Sequence, residues 1–217
     1  PNYKINFDGQ SFDIDADGNM AKADLVNYIT GKWGKRPTER DIDATLDAWQ
    51  SNGSTAAKMA TSETFQVKAI PEAPFIDAAY YLVGDIFNVE AVGDAAAIDG
   101  WNTVSAKQAF KHSEKDVYDD PVFTITFETT KANQYWKIIP KANVDAGNTD
   151  ASAAGVVGPK VDGEDSMTGS LTNGDAKAGK IAKAGKYKLT INMMDYSYTL
   201  EEVNYDPFIY FIGSTDG

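Results

Sequence analysis

The pattern that most constrains this chain is strict alternation. Tyr187, Leu189, Ile191 and Met193 take every second position from Lys186 to Met193, and Phe123, Ile125 and Phe127 do so from Val122 to Glu128. Successive side chains of a strand point to opposite faces, so this spacing describes sheets with one dry face and one wet face. Tyr196 to Leu200 returns behind Met193 as the second arm of a hairpin. Further strands are predicted at Tyr80 to Val83 and Gln134 to Ile139. The connections between them are rich in Gly, Ala, Asp and Ser, notably Asp145 to Gly185, and no long helix interrupts them. Short alternating strands with irregular loops predict an antiparallel β-sandwich.

The first 72 residues read as a smaller domain. Tyr3 to Phe7 alternates and stops at Asp8-Gly9; Phe12, Ile14 and Ala16 alternate with acids. Ala23 to Lys32 carries Leu25, Val26, Tyr28 and Ile29 on one stripe and ends before Gly34, so it is expected to be a short helix. Ile42 to Ala48 and Phe65 to Ala69 read as two more strands. The expectation is a second β-sandwich with one helix. Pro71-Glu72-Ala73-Pro74 then forms a stiff linker. The fold class expected for the whole is all-β, two tandem antiparallel sandwiches.

A short echo sets the domain plan. Pro74 to Asp85, with its aromatic strand and Gly84, returns as Pro207 to Ser214 with Gly213, and the two glycines are 129 positions apart. The echo predicts one complete module over 73–204 and the first strand of another over 205–217, hence a longer array of modules. Tandem modules suit an extended, repetitive ligand, which points to binding rather than catalysis.

Charge and composition narrow the partners. The net charge of −12 argues against nucleic acid and against an anionic membrane surface, both of which need surplus Lys and Arg. A neutral ligand is compatible with it. The chain has no cysteine, which excludes disulfides, thiol catalysis and thiolate-bound zinc. No apolar run reaches the roughly 18 residues that span a bilayer. The acidic, tyrosine-rich composition fits an exported protein, whose signal peptide, if there was one, is removed or lies outside this sequence.

Catalytic patterns are weak. His112 is the only histidine and sits in a polar stretch with no Gly-x-Ser-x-Gly elbow in the chain, so it is expected in a surface loop rather than in a triad. Asp119-Asp120 and Glu201-Glu202 are adjacent acids, which on a strand would face opposite ways rather than form a hydrolytic pair. Asp13, Asp15, Asp17 and Gly18, with Asp24 at the twelfth position, match the opening of an EF-hand loop and are a calcium candidate. A wet strand face ending in a Gly-Asn turn explains the same residues. No other cofactor is expected.

The aromatic residues are the better lead. A neutral sugar offers a C–H face to an aromatic ring and a rim of hydroxyls to amines, amides and acids. Trp101 follows Gly100 in a polar loop, where a core tryptophan is less expected. Alternation places Trp136 and Ile138 on one face of their strand and Tyr135 and Lys137 on the other, so Trp136 reads as core.

These segments resemble a known family. Tyr80 to Asp85 followed by Gly100-Trp101-Asn102, then Trp136-Lys137-Ile138-Ile139-Pro140, then Gly169 to Asp175, then Gly185 to Asn192 with Asp195 to Leu200, resemble in order the starch-binding modules of SusE/SusF-type outer-membrane lipoproteins of the Bacteroidetes. The likeness covers about residues 74 to 203, and the first 70 residues resemble the immunoglobulin-like domain that precedes those modules. The resemblance implies a lipid-anchored, cell-surface, non-catalytic binder of starch or a similar α-glucan, working beside an outer-membrane importer. It assigns the sugar-stacking role to Trp101 and the hydroxyl contacts to Lys137 and Asn173. The lipid-bearing cysteine of that family is absent from this sequence, and modules of this kind can keep the fold without the ligand. A spacer or partner-docking module without a ligand of its own is therefore the alternative.

Overall fold

The computed structural model describes residues 2–203, so the echo within 205–217 lies outside the described residues. The chain divides into two compact units between Phe75 and Ile76.

The first unit is one antiparallel sheet with a helix on it. Its strands are β1 (Asn2–Phe7), β2 (Gln10–Ile14), β3 (Arg40–Ser51), β4 (Ala56–Thr61) and β5 (Phe65–Ala69), and the helix α1 (Lys22–Trp33) lies between β2 and β3. The order is β2-β1-β3-β4, and β5 pairs with the early half of β3. Phe7, Ile42, Ala44 and Ala69 from the strands close on Tyr28 and Ile29 from α1. Here the structure departs from the expected pair of sheets. The helix provides the second layer because its stripe offers large aromatic and branched side chains, with Phe7 and Tyr28 rings 5.1 Å apart. The strand expected to run to Ala16 stops at Ile14, where Asp15 folds back on its own turn. Strand β4 was not expected: all six of its residues are exposed, so it carries no alternation to read.

The second unit is a sandwich. One sheet joins β7 (Val122–Thr129), β12 (Gly185–Asn192), β13 (Ser197–Glu202), β10 (Thr168–Thr172) and β9 (Gly158–Pro159), in that order. The other joins β11 (Gly179–Ile181), β8 (Gln134–Pro140) and β6 (Tyr80–Gly84). A short helix, α2 (Lys141–Asp145), follows β8. Every strand pair is antiparallel. The alternation seen in the sequence packs this core: Phe123, Ile125, Leu189, Ile191, Tyr198 and Leu200 are buried from one sheet, and Leu82, Trp136 and Ile138 from the other. The sheets meet through Trp136 and Tyr198, edge to face at 5.5 Å, and through Tyr80 and Phe123 at 4.9 Å.

A second, smaller apolar cluster lies on the other face of the three-stranded sheet. Val83, Ile139 and Val156 are buried there, with Trp101, Val104 and Val144 partly buried over them. The candidate site lies over this outer face.

Candidate functional site

The site is built from three stretches of chain that meet over that small cluster. The first is the loop after β6. Gly84 runs so close to β8 that an added Cβ would lie 2.1 Å from the Tyr135 carbonyl oxygen, at a φ of +145° that favours glycine. Gly100 returns to it, accepting from the Gly84 N–H at 2.9 Å, and a Cβ on Gly100 would lie 2.3 Å from the Gly84 oxygen. The double glycine contact explains why a tryptophan follows a glycine here: the backbone must pass close before the ring can turn over the sheet. Between the two glycines an exposed hairpin is pinned by reciprocal bonds between Val89 and Ile98 of 3.0 and 2.9 Å.

Trp101 is half-buried. The side chain packs against the Val83, Ile139 and Val156 cluster. Its indole N–H donates to Asp85 Oδ1 at 2.7 Å, and Asp85 Oδ2 accepts the Tyr135 backbone N–H at 3.0 Å. Asp85 stands in the quoted Tyr-Tyr-Leu-Val-Gly-Asp motif, yet alternation and composition give it no role. Only the fold shows that its carboxylate ties the aromatic loop to β8.

The second stretch is β8 and the loop after it. Lys137 lies opposite Val83 in the sheet and so points to the outer face. Its ammonium donates to the Ala151 carbonyl at 3.1 Å, which leaves donors over for a ligand. The loop that supplies Ala151 is fixed at several points. The Ala142 N–H donates to Asp77 at 2.7 Å, the Asn143 side chain donates to the Ala154 carbonyl at 3.0 Å, and the Thr149 hydroxyl donates to the Asn102 carbonyl at 2.6 Å. That last bond joins the loop to the one carrying Trp101.

The third stretch is the turn after β10. Thr172 exchanges bonds of 3.1 Å with Gly174, and Asp175 adopts a φ of +56°. Asn173 is thereby left exposed at the tip. Lys177 pairs with Asp175 at 2.7 Å, while its N–H holds the Pro159 carbonyl at 2.9 Å.

Together these stretches line one groove of about 610 Å³ whose walls include Trp101, Lys137, Asn173, Asp150, Asp175 and Lys177. The three residues singled out in the sequence, far apart in the chain, line the same space. The sequence reading missed Asp150, Asp175 and Lys177, which lie in polar loops without any periodic signal. The Lys177 ammonium, hydrogen-bonded and close in charge, holds the Asp175 carboxyl below the usual carboxylate range. The Ser152 hydroxyl and then its backbone N–H do the same for Asp150, with a smaller electrostatic contribution from Lys137. Both acids are thus ionised acceptors at neutral pH. The groove offers one aromatic face, two ammonium groups, two amides and carboxylates, a set suited to a polyhydroxylated neutral ligand.

The remaining candidates fall elsewhere. Trp136 is core at 1% exposure. His112 lies in a loop, where its ring is half-buried, stacks on Phe123 at 4.4 Å and bonds the Asp120 carbonyl at 2.5 Å. In the calcium candidate, Asp15 spends its oxygens on the N–H groups of Asp17 and Asn19 and on the Asn19 amide, and Asp13 pairs with Lys4 at 3.1 Å. Among the described residues no three His, Cys, Asp or Glu side chains gather as a metal would require.

Known proteins resemble this chain in sequence over the second unit. The family model described as SusF, first starch specific CBM, matches residues 75–202, more than half of the chain. The Outer membrane protein SusF of Bacteroides thetaiotaomicron is 27% identical over 135 residues, which are 62% of this chain and 24% of that protein. The chain thus spans about a quarter of the length of that relative. The crystal structure of SusF from Bacteroides thetaiotaomicron aligns with 92% of this chain and 42% of its own, at 19% identity and a TM-score of 0.44.

Proposed function

The chain belongs to the family of the first starch-specific carbohydrate-binding module of SusF, and from that premise we propose that it is a non-catalytic binder of starch or a related α-glucan. The groove over the three-stranded sheet is its site. Trp101 stacks against the C–H face of a glucose unit, and Lys137 and Asn173 hydrogen-bond its hydroxyls. The observation that carries this reading is that these three residues, from a loop, a strand and a turn, line one groove. Two of the groove carboxyls differ from the general acid of a glycosidase. A glycosidase's general acid needs a raised pKa, whereas Asp150 and Asp175 are held low.

The relative's name places that protein in the outer membrane, and we extend the location to this chain. We further propose display on the cell surface through a lipid anchor, beside an outer-membrane glycan importer. One shallow site holds a glucan weakly. Several modules on one chain raise overall avidity by roughly 10²–10⁴ through effective concentration.

Affinity electrophoresis tests the reading. The wild-type chain is expected to be retarded by amylopectin in the gel, and Trp101→Ala to migrate as it does without polysaccharide. Equal mobility of the two proteins at every amylopectin concentration would refute binding at this groove and favour the spacer alternative.

A further inference from the structure

We propose that Asp85 is a positioning residue for glucan binding, fixing the plane of the Trp101 ring; this rests on the groove being a glucan site. The ring hangs from a loop, where no regular hydrogen-bond ladder fixes its side-chain torsions. Its apolar support is the Val83, Ile139 and Val156 cluster, and sliding over an apolar surface costs little because such contacts are non-directional. The indole has one polar atom, a donor. A hydrogen bond from it to a carboxylate is directional and charge-assisted, and at 2.7 Å Asp85 provides it.

Asp85 can set an orientation because it is itself fixed. It follows Gly84, whose approach to the Tyr135 carbonyl admits no side chain. It opens the 3-10 turn Asp85–Phe87. Its second oxygen is held by the Tyr135 N–H at 3.0 Å. The same strand carries Lys137 two residues later, so one carboxylate sets the ring and the start of the lysine strand in a common frame. Stacking needs the ring plane aligned with the sugar face, and hydroxyl contacts to Lys137 then follow at a fixed offset. A ring free to tilt would keep its area and lose that register, since a preorganised site avoids the ordering cost on binding.

Two measurements on the full chain test this. The first needs no ligand: the Trp101 indole N–H proton is followed by ¹H–¹⁵N NMR in the wild type and in Asp85→Ala. The resonance is expected to move and to exchange faster with solvent in the variant; an unmoved, equally protected signal overturns the proposal. The second is the affinity for maltoheptaose by calorimetry in a double-mutant cycle of Asp85→Ala with Trp101→Phe. Asp85→Ala is expected to weaken binding about tenfold, or about 1.4 kcal/mol. In the Trp101→Phe background, which keeps a ring but has no N–H, it should cost less than about twofold. A full tenfold cost in that background would assign Asp85 a structural role through Tyr135 and overturn the positioning role. So would wild-type affinity in Asp85→Ala. Asp85→Asn, which retains an acceptor oxygen, should recover part of the affinity and serves if the alanine variant does not fold. Failure of the wild type to bind maltoheptaose would refute the glucan reading and with it this role in binding, while the NMR result would still show whether Asp85 holds the ring.

Discussion

Trp101 keeps its ring at the wall of the groove and commits its N–H to Asp85, whereas Trp136 buries its ring to 1% exposure and leaves its N–H without a partner. The two residues serve one module through different properties of the same side chain. At Trp136 the protein uses volume. The ring fills the space between the sheets, meets Tyr198, and packs so tightly on β11 that a Cβ on Gly179 would lie 2.3 Å from it. An unpaired buried donor costs about 1–3 kcal/mol, and the packing offsets that cost. At Trp101 the ring stays half-exposed and the donor is used directionally. A tryptophan in a β-module is therefore best judged by where its N–H goes.

The sharpest way to break this contrast is to truncate the buried ring. Trp136→Ala is expected to cost about 3–5 kcal/mol of stability, read by urea unfolding. Trp136→Phe should cost far less, because losing volume is partly offset by removing the unpaired donor. A loss under about 1 kcal/mol in the alanine variant would show that the core does not depend on this ring.

A smaller effect should separate the groove from the core. Lys137→Met keeps the aliphatic stem and removes the ammonium. It is expected to weaken maltoheptaose binding about fivefold, equivalent to about 1 kcal/mol, while leaving the unfolding midpoint nearly unchanged. A large drop in the midpoint with unchanged affinity would make Lys137 a scaffold residue.

The smallest effects come from pH, and the two regions should respond at opposite ends of the scale. Burial pushes the Tyr198 hydroxyl, beside Trp136, up to about 12, and pushes Tyr80 up as well. Unfolded tyrosine ionises at about pH 10. Above that the folded chain keeps protons that the unfolded chain has lost, so stability should be complete below about pH 10 and fall as pH rises toward 12. Tyr198→Phe should flatten that slope; an unchanged slope would show that Tyr198 is not its source. In the groove the sign reverses. Asp150 and Asp175 are depressed, so their contribution is present above the unfolded value of about 3.9 and is lost as pH falls through the folded values. Denaturation curves across the acid and alkaline ranges would record both limbs, the acid one shared with depressed acids outside the groove such as Asp8 and Asp120; an acid limb unchanged in a variant with Asp150→Asn and Asp175→Asn would show that the groove does not contribute to it.

The legibility of the sequence followed the same division. Strands β7 and β12 bury every second residue, so periodicity alone located them. Strands β9 and β11 are two and three residues long, too short to show a period, and they hid inside the Gly- and Ala-rich stretch after Asp145. Strand β4 is exposed throughout and had no pattern to give. The helix stripe of Tyr28 and Ile29 was visible, but its role as the second layer of the first unit depended on which strands it met. Trp101 drew notice because a glycine precedes it in a polar loop. Asp85 did not, because an acid at the end of a strand is unremarkable until its two oxygens are seen to hold two separate segments.

One feature of the same loop bears on engineering. The hairpin between Gly84 and Gly100 is closed at its base by the paired Val89 and Ile98 bonds and by the glycine contact, while residues 88–99 are exposed. Lengthening its tip between Val92 and Ala95 adds closure entropy only slowly, about 0.6 kcal/mol per doubling of length. An epitope, a fluorophore site or a whole guest domain grafted at that tip would therefore ride on the module without unseating the tryptophan a few residues beyond it.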